Sequence, residues 1–392
     1  MVGTVRRAGE HEMLRFHLLS IAALCISAPI LFSCGRIDSA KQNNQGGENT
    51  KGERVLNFYN WADYIAPDTI ASFEKLTGVK VHTSYFDSME TLESRMLTGN
   101  SGFDVVVTSG PYFQRQIRSG AYLPLDIKQL PNLANLDPTI MARAAAYDPG
   151  NAHGVVYTWG TFGIGYNEKM IREALPNAPL NSWALIFDPK FAEKLAKCGI
   201  NILDAPAGVT RLVLKYLGKN PNAPSPQDLA DVEGLLMRVR RNIRTIDSTL
   251  DTEAMVNGDI CVGLAYNDSI AVARRRAREA DRGVQIGFVI PKEGSLLWYD
   301  ILAIPRDAPH VDNAHLFVNY LMNPQVIANI TNYAGIANGN AAAMALVDQS
   351  TVADTIIYPS LDQQQRLFVQ LEDSPEQVRA ITRMWQRFKT AQ

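Results

Sequence analysis

At 392 residues the chain is too long for one ordinary hydrophobic core, and two domains are expected. Hydrophobic residues make up 46% and charged residues 20%, the balance of a soluble globular protein. A net charge of −2 excludes a nucleic-acid-binding surface as the organising feature, and no nucleic-acid partner is expected. The basic run Arg274-Arg275-Arg276-Ala277-Arg278 has Glu279 and Asp281 beside it and reads as a solvated helix face.

The N-terminus reads as an export segment. From Met13, Leu14-Arg15-Phe16-His17 precedes a mostly apolar run from Leu18 to Phe32, which is too short for a comfortable membrane span. It ends in Leu31-Phe32-Ser33-Cys34, which resembles the lipobox of bacterial lipoproteins, so a lipid on Cys34 is expected, with simple secretion as the alternative. Residues 1–34 are thus a signal, and the residues before Met13 read as an upstream extension. Residues 35–53, with Gln42-Asn43-Asn44-Gln45-Gly46-Gly47, are polar and lack apolar periodicity, the composition of a flexible tether.

The body opens with a strand at Val55–Tyr59 and a helix from Asp68 to Leu76 that stops at Gly78. A strand at Val79–Phe86 leads to Asp87-Ser88-Met89-Glu90, which has capping-box spacing, and a helix through Leu92 and Met96. Phe103–Val107 is a short apolar run typical of a buried parallel strand. This βαβαβ unit is followed by a second unit. Strands are expected at Val155–Tyr157, Gly163–Asn167, Ile200–Leu203, Ile260–Tyr266, Val284–Ile290 and Trp298–Ile304, and helices at Thr210–Leu217 and Asp228–Arg240. Helical signals dominate from His315 onward. The pattern implies an α/β fold of two lobes joined by extended hinge segments, with a ligand cleft between them.

Candidate chemistry sits on two distant segments. The loop Asn60-Trp61-Ala62-Asp63-Tyr64 leaves the first strand at its carboxyl end, where open α/β sheets bind ligands. An aromatic face attracts a cation and a carboxylate pairs with an ammonium group, so Trp61, Asp63 and Tyr64 would suit a small organic amine. They could equally be rim aromatics and a helix-start residue before Pro67. Downstream, Asp300 stands inside the apolar run Leu296-Leu297-Trp298-Tyr299-Asp300-Ile301-Leu302, where a carboxylate is costly unless something positive pairs with it. Trp298 and Asp300 alternate along the strand and therefore share a face. Ser109 either lines the same region or caps the next helix. With Cys25 inside the signal and Cys34 the lipid candidate, Cys198 and Cys261 in an exported domain read as a disulfide. No cysteine or histidine spacing suggests a metal or cofactor. His82, His153, His310 and His315 lack motif context, and G-x-S-x-G and H-E-x-x-H are absent, so an exported hydrolase is a remote alternative.

Ordered motifs from about Leu56 to Lys389 resemble the bacterial polyamine-binding proteins of ABC importers, the putrescine type above all. They are Tyr59-Asn60-Trp61-Ala62-Asp63-Tyr64-Ile65-Ala66-Pro67-Asp68-Thr69, Gly102-Phe103-Asp104-Val105-Val106, Gly163-Ile164-Gly165-Tyr166-Asn167, Leu203-Asp204-Ala205-Pro206, Asn257-Gly258-Asp259-Ile260-Cys261 and Ile290-Pro291-Lys292-Glu293-Gly294. The resemblance implies a type II periplasmic-binding-protein fold with a cleft that closes on its ligand, a membrane permease as partner, and no catalysis. The expected protein is a periplasmic monomer held to the membrane by its lipid alone. Lobe 1 would comprise residues 54–156 and 300–345, and lobe 2 residues 157–299 and 346–392.

Position by position, Trp61, Asp63, Tyr64, Ser109, Trp298 and Asp300 match ligand-contacting residues of the family, and Cys198 and Cys261 match its disulfide. Ala62 stands where a hydroxyl residue is usual, and Tyr266 where tryptophan is. There are sharper departures too. Gly208 replaces a carboxylate, Ser269 replaces the acidic residue of the putrescine type, and Ile336 replaces a tyrosine. Asp268 and Tyr333 are the neighbouring residues of suitable chemistry. Each lost carboxylate removes a charge-assisted hydrogen bond worth roughly 1.5–3 kcal/mol, which could lower putrescine affinity or redirect the site to another amine or guanidino compound.

Overall fold

The computed structural model describes residues 54–248, 251–281 and 283–391. The signal, Cys34 and the tether lie outside the described residues. The expected βαβαβ unit forms as β1 (Val55–Trp61), β2 (Lys80–Phe86) and β3 (Val105–Ser109), with helices Pro67–Thr77 and Met89–Thr98 between them. β1 pairs in parallel with both β2 and β3. The first helix has proline in its opening turn and ends at Gly78, whose φ of 71° is accessible to glycine without penalty. The second is capped by Ser88, which accepts from the Thr91 amide, so the cap is one residue later than Asp87.

The two strand signals expected before Asn167 are one continuous strand, β4 (Gly154–Asn167). After it come β5 (Ile200–Ile202), β6 (Thr245–Ile246), β7 (Val262–Tyr266), β8 (Ile286–Val289), β9 (Ser295–Ala303), β10 (Ala337–Asn338) and β11 (Leu367–Val369). The strand order is β2-β1-β3-β9-β4-β7-β5-β6, with β8 and β10 on β4 and β11 on β9. β4 is the link between two halves of this array. Residues 154–161 pair with β9, while residues 162–167 pair with β7 and β8.

A register irregularity between Val156 and Thr158 resets which β4 side chains face which way. Val155 and Tyr157 join the core built on Phe58, Phe73 and Phe317, whereas Val156 and Trp159 join the core of Tyr59, Phe113 and Tyr299 on the opposite face. β9 divides by simple alternation. Leu297, Tyr299 and Ile301 belong to the second of these cores, leaving Trp298 and Asp300 on the other face. Beyond Thr161, a separate core forms around Trp183, Phe187, Leu212, Trp385 and Phe388. The C-terminal segment ties these bodies together. Arg211, 1% exposed, donates to Asp373 (2.6 Å) and to the Leu371 carbonyl, while the adjacent Glu372 pairs with Arg118. Cys198 and Cys261 form a disulfide with Cα atoms 5.4 Å apart, and it ties together the residues just before β5 and just before β7.

Candidate functional site

Trp61, Ser109 and Tyr266 sit at strand ends, Trp298 and Asp300 lie within β9, and Asp268 and Ser269 open a helix. β1 delivers Trp61, and the chain then turns through Asp63, whose φ of 61° lies in the left-handed region that aspartate tolerates better than most residues. The turn swings Tyr64 back toward the sheet. Its carbonyl accepts from the Tyr157 hydroxyl at 2.7 Å, so a β4 residue sets the height of the loop. β3 delivers Ser109. That serine occupies the helix-start position before Gly110–Arg118 but makes no capping hydrogen bond. Its hydroxyl donates instead to Asp300 Oδ1 at 2.5 Å, as the register of β3 on β9 sets Ser109 opposite Asp300.

Asp300 is 3% exposed, and Asp268 comes toward it from the first turn of the helix Asn267–Glu279. The Tyr64 hydroxyl faces both carboxyls, and Tyr266 adds its field to the same phenol. Burial pushes the Asp300 carboxyl up to about 7. The Ser109 hydrogen bond opposes that shift, the like charge of Asp268 adds to it, and the Tyr64 hydroxyl and Trp61 indole oppose it. Asp268 is raised as well, chiefly by burial. Neither carboxylate makes an ion pair among the described residues. One oxygen of Asp268 and the indole N–H groups of Trp61 and Trp298 are buried without a hydrogen-bond partner. The Trp61 N–H thus faces Asp300 without completing a hydrogen bond, and the Trp61 ring packs on Phe86, centroids 4.3 Å apart.

Two residues that the sequence did not single out shape the wall. Asn267 is fully buried, with its amide oxygen accepting from Thr161 N (2.7 Å) and its amide nitrogen donating to the Ile356 carbonyl (2.8 Å). It thereby joins the β4 crossing point to the helix that carries Asp268. Gly160 leaves room for this, since a Cβ there would collide with the Trp298 ring and the Asn267 amide. A lone Asn or Gly in sequence gives no sign of such a role.

The other candidates divide into near and far. Tyr266 ends β7 and packs at a tilt against Phe162, centroids 4.6 Å apart; Ser269 follows Asp268 on its helix. Gly208 lies under Phe162 and Leu296, and Ile336 is buried at 4% exposure, so both positions are apolar. Asp63 and Ala62 are exposed on the loop. Tyr333 is 45% exposed on the helix Pro324–Ala334 and makes none of the contacts that define the acidic group. No group of His, Cys, Asp and Glu suited to a metal ion occurs among the described residues. No helix among them is long and apolar enough to cross a membrane.

Residues 68–357 match the family model for bacterial extracellular solute-binding proteins. The chain is 42% identical over 340 residues to the putrescine-binding periplasmic protein PotF of Escherichia coli K12, covering 86% of this chain and 92% of that protein. It is 38% identical over 337 residues to a putrescine/agmatine-binding protein of Pseudomonas aeruginosa, with the same coverage of each. Among solved structures, the spermidine/putrescine substrate-binding protein PotD of Streptococcus pneumoniae superposes with a TM-score of 0.75 at 26% identity, covering 86% of this chain and 99% of that one. The two-lobed type II periplasmic-binding-protein fold is thereby established. The family is one of binding proteins, not enzymes. This chain belongs to the bacterial extracellular solute-binding proteins, within the periplasmic polyamine-binding group.

Proposed function

We propose that the chain is a periplasmic receptor that captures a linear di- or polyamine at Asp300 and Asp268 and passes it to the permease of an ABC importer. The observation that carries this reading is the convergence of two buried carboxylates on one tyrosine hydroxyl, with no cationic side chain paired to either among the described residues. Such a pair is unfavourable when empty, because like charges repel and burial strips their water. An ammonium group supplies the missing charge and three donors, and each charge-assisted hydrogen bond is worth roughly 1.5–3 kcal/mol. Trp61 and Trp298 offer aromatic faces for the methylene chain, and Tyr64, Ser109, Tyr266 and Ser269 complete the lining, with Asp63 and Ala62 on the exposed loop. Relatives named for putrescine, agmatine and spermidine support a cationic linear ligand. Putrescine is the first candidate and spermidine the second.

Calorimetry with putrescine, spermidine, cadaverine and agmatine tests this. At least one should bind at sub-millimolar concentration, and failure of all four would sink the assignment. A second reading, a different small amine or guanidino compound, is favoured by the apolar surroundings of Gly208 and the burial of Ile336, where the resemblance points to a carboxylate and a tyrosine. A thermal-shift screen separates the two, since the tightest ligand raises the midpoint most. We further propose a lobe boundary near the β4 crossing, with residues 54–156 and 300–345 in one lobe and residues 157–299 and 346–392 in the other. A monomer tethered through acylated Cys34 completes the proposal, and mass spectrometry of the mature N-terminus tests the lipid.

A further inference from the structure

Trp298 and Asp300 leave the opposite face of β9 to Leu297 and Tyr299, and a cavity of about 280 Å³ opens against that face. Its floor is Trp159 and Leu297, 5% and 3% exposed. Arg143 and Asp137, from the helix Pro138–Ala144 and its cap, line it from the other side, with Met344 beside them. Tyr299 lines this cavity and is 1% exposed, and its hydroxyl is buried beside it without a hydrogen-bond partner among the described residues. A buried hydroxyl left unpaired is destabilising, so its retention calls for an explanation.

The charges that face this hydroxyl are Arg143 and Asp137. Asp137 is already engaged, since its Oδ1 accepts from the Thr139 and Ile140 amides. Arg143 is not. Its guanidinium makes one long hydrogen bond, 3.4 Å to the Gln364 carbonyl, and no ion pair among the described residues. The least committed polar groups are therefore the Arg143 guanidinium and the Tyr299 phenol, set over an indole and a leucine, with the second oxygen of Asp137 beside them. A guanidinium fork matches the two oxygens of a carboxylate.

We propose that this cavity is a second ligand site, separate from the amine cleft, for a small carboxylate with an apolar body. The carboxylate lies between Arg143 and Tyr299, and the chain or ring rests on Trp159 and Leu297. The volume is at the small end for ligand sites, which restricts the occupant to a compact molecule. The proposal does not depend on the amine reading and stands if that reading fails.

The test is calorimetry of the mature chain with benzoate, phenylacetate and hexanoate, with benzyl alcohol as the uncharged control. At least one acid should bind with a Kd near or below about 1 mM, as expected for a ligand of this size. Arg143→Gln should weaken it at least about tenfold and Tyr299→Phe several-fold, with benzyl alcohol binding far more weakly than the acids. The proposal is overturned if no acid binds at about 10 mM, or if Arg143→Gln binds as tightly as the parent. Should either variant misfold, fluorotryptophan NMR of the parent chain decides. Benzoate must shift the Trp159 resonance, and a shift confined to other indoles overturns the site.

Discussion

Two aspartates look alike in sequence and differ completely in the fold. Asp104 and Asp300 each interrupt an apolar strand region, and both are buried, at 0% and 3% exposure. Asp104 is saturated. It accepts from the Asn57 amide (2.7 Å) and the His310 amide (2.6 Å), and its carboxylate meets the His310 ring at 3.0 Å. Asp300 has one hydrogen bond, from a serine, and a second carboxyl for company. The first arrangement holds a strand start to the loop before the helix Val311–Leu321. The second leaves an uncompensated negative site. Burial of a charge thus says little by itself; the partner list separates a structural carboxylate from a candidate binding one.

The comparison breaks most readily at Asp104. Asp104→Asn should cost about 3–5 kcal/mol, the range for breaking a buried charged network, while amine affinity measured on the folded fraction stays within about twofold. Urea denaturation measures the first and calorimetry the second. A stable variant would show that the saturated network is dispensable.

Next in size is a pH effect confined to the Asp300 region. Its native carboxyl sits at about 7, above the ordinary unfolded value near 3.9, so the native state holds more protons between those limits. Stability of the empty protein should therefore fall as pH rises from about 4 to about 7 and level off above, by an amount on the order of a few kcal/mol. Amine affinity should move the opposite way and weaken below pH about 7, because the ammonium requires the ionised carboxylate. Denaturation midpoints and calorimetry at pH 5, 6, 7 and 8 follow both quantities. A rise in stability across the window would contradict the assignment.

Asp300→Asn should remove that pH slope and cut amine affinity at least about tenfold without destabilising the fold, the reverse of the Asp104 result. Asp268→Asn should weaken binding by a smaller factor, about five- to tenfold, and also lower the Asp300 carboxyl's proton affinity by removing the like charge. Carbonyl-region NMR of the variant follows that carboxyl. Smallest is Ser109→Ala, expected to reduce affinity about two- to fivefold through loss of one hydrogen bond.

Much of the site was legible because it rests on local periodicity. Trp298 and Asp300 share a face by strand alternation, and the Trp61–Tyr64 loop lies at a strand's carboxyl end. What could not be read was register. Ser109 had two open readings until β3 paired with β9, which set it opposite Asp300. Asp268, one residue from the position where the resemblance points to acid, approaches Asp300 only because β7 ends at Tyr266 and a new helix begins there. Gly160 and Asn267 were invisible since one acts by leaving room and the other by hydrogen bonds to residues distant in sequence.

The amino-acid sequence alone determined the α/β class, the first βαβαβ unit, the aromatic and acidic composition of the candidate site and the family motifs. These depend on short-range patterns and on ordered matches along the chain. Only the tertiary structure decided that the two strand signals before Asn167 are one strand shared between two halves. It alone brought Asp268 to Asp300 through Tyr64, and left Tyr299 facing a cavity behind them. Such outcomes depend on pairing register and on the meeting of side chains distant in sequence, and a side chain's partners, unlike its periodicity, are set by the whole fold.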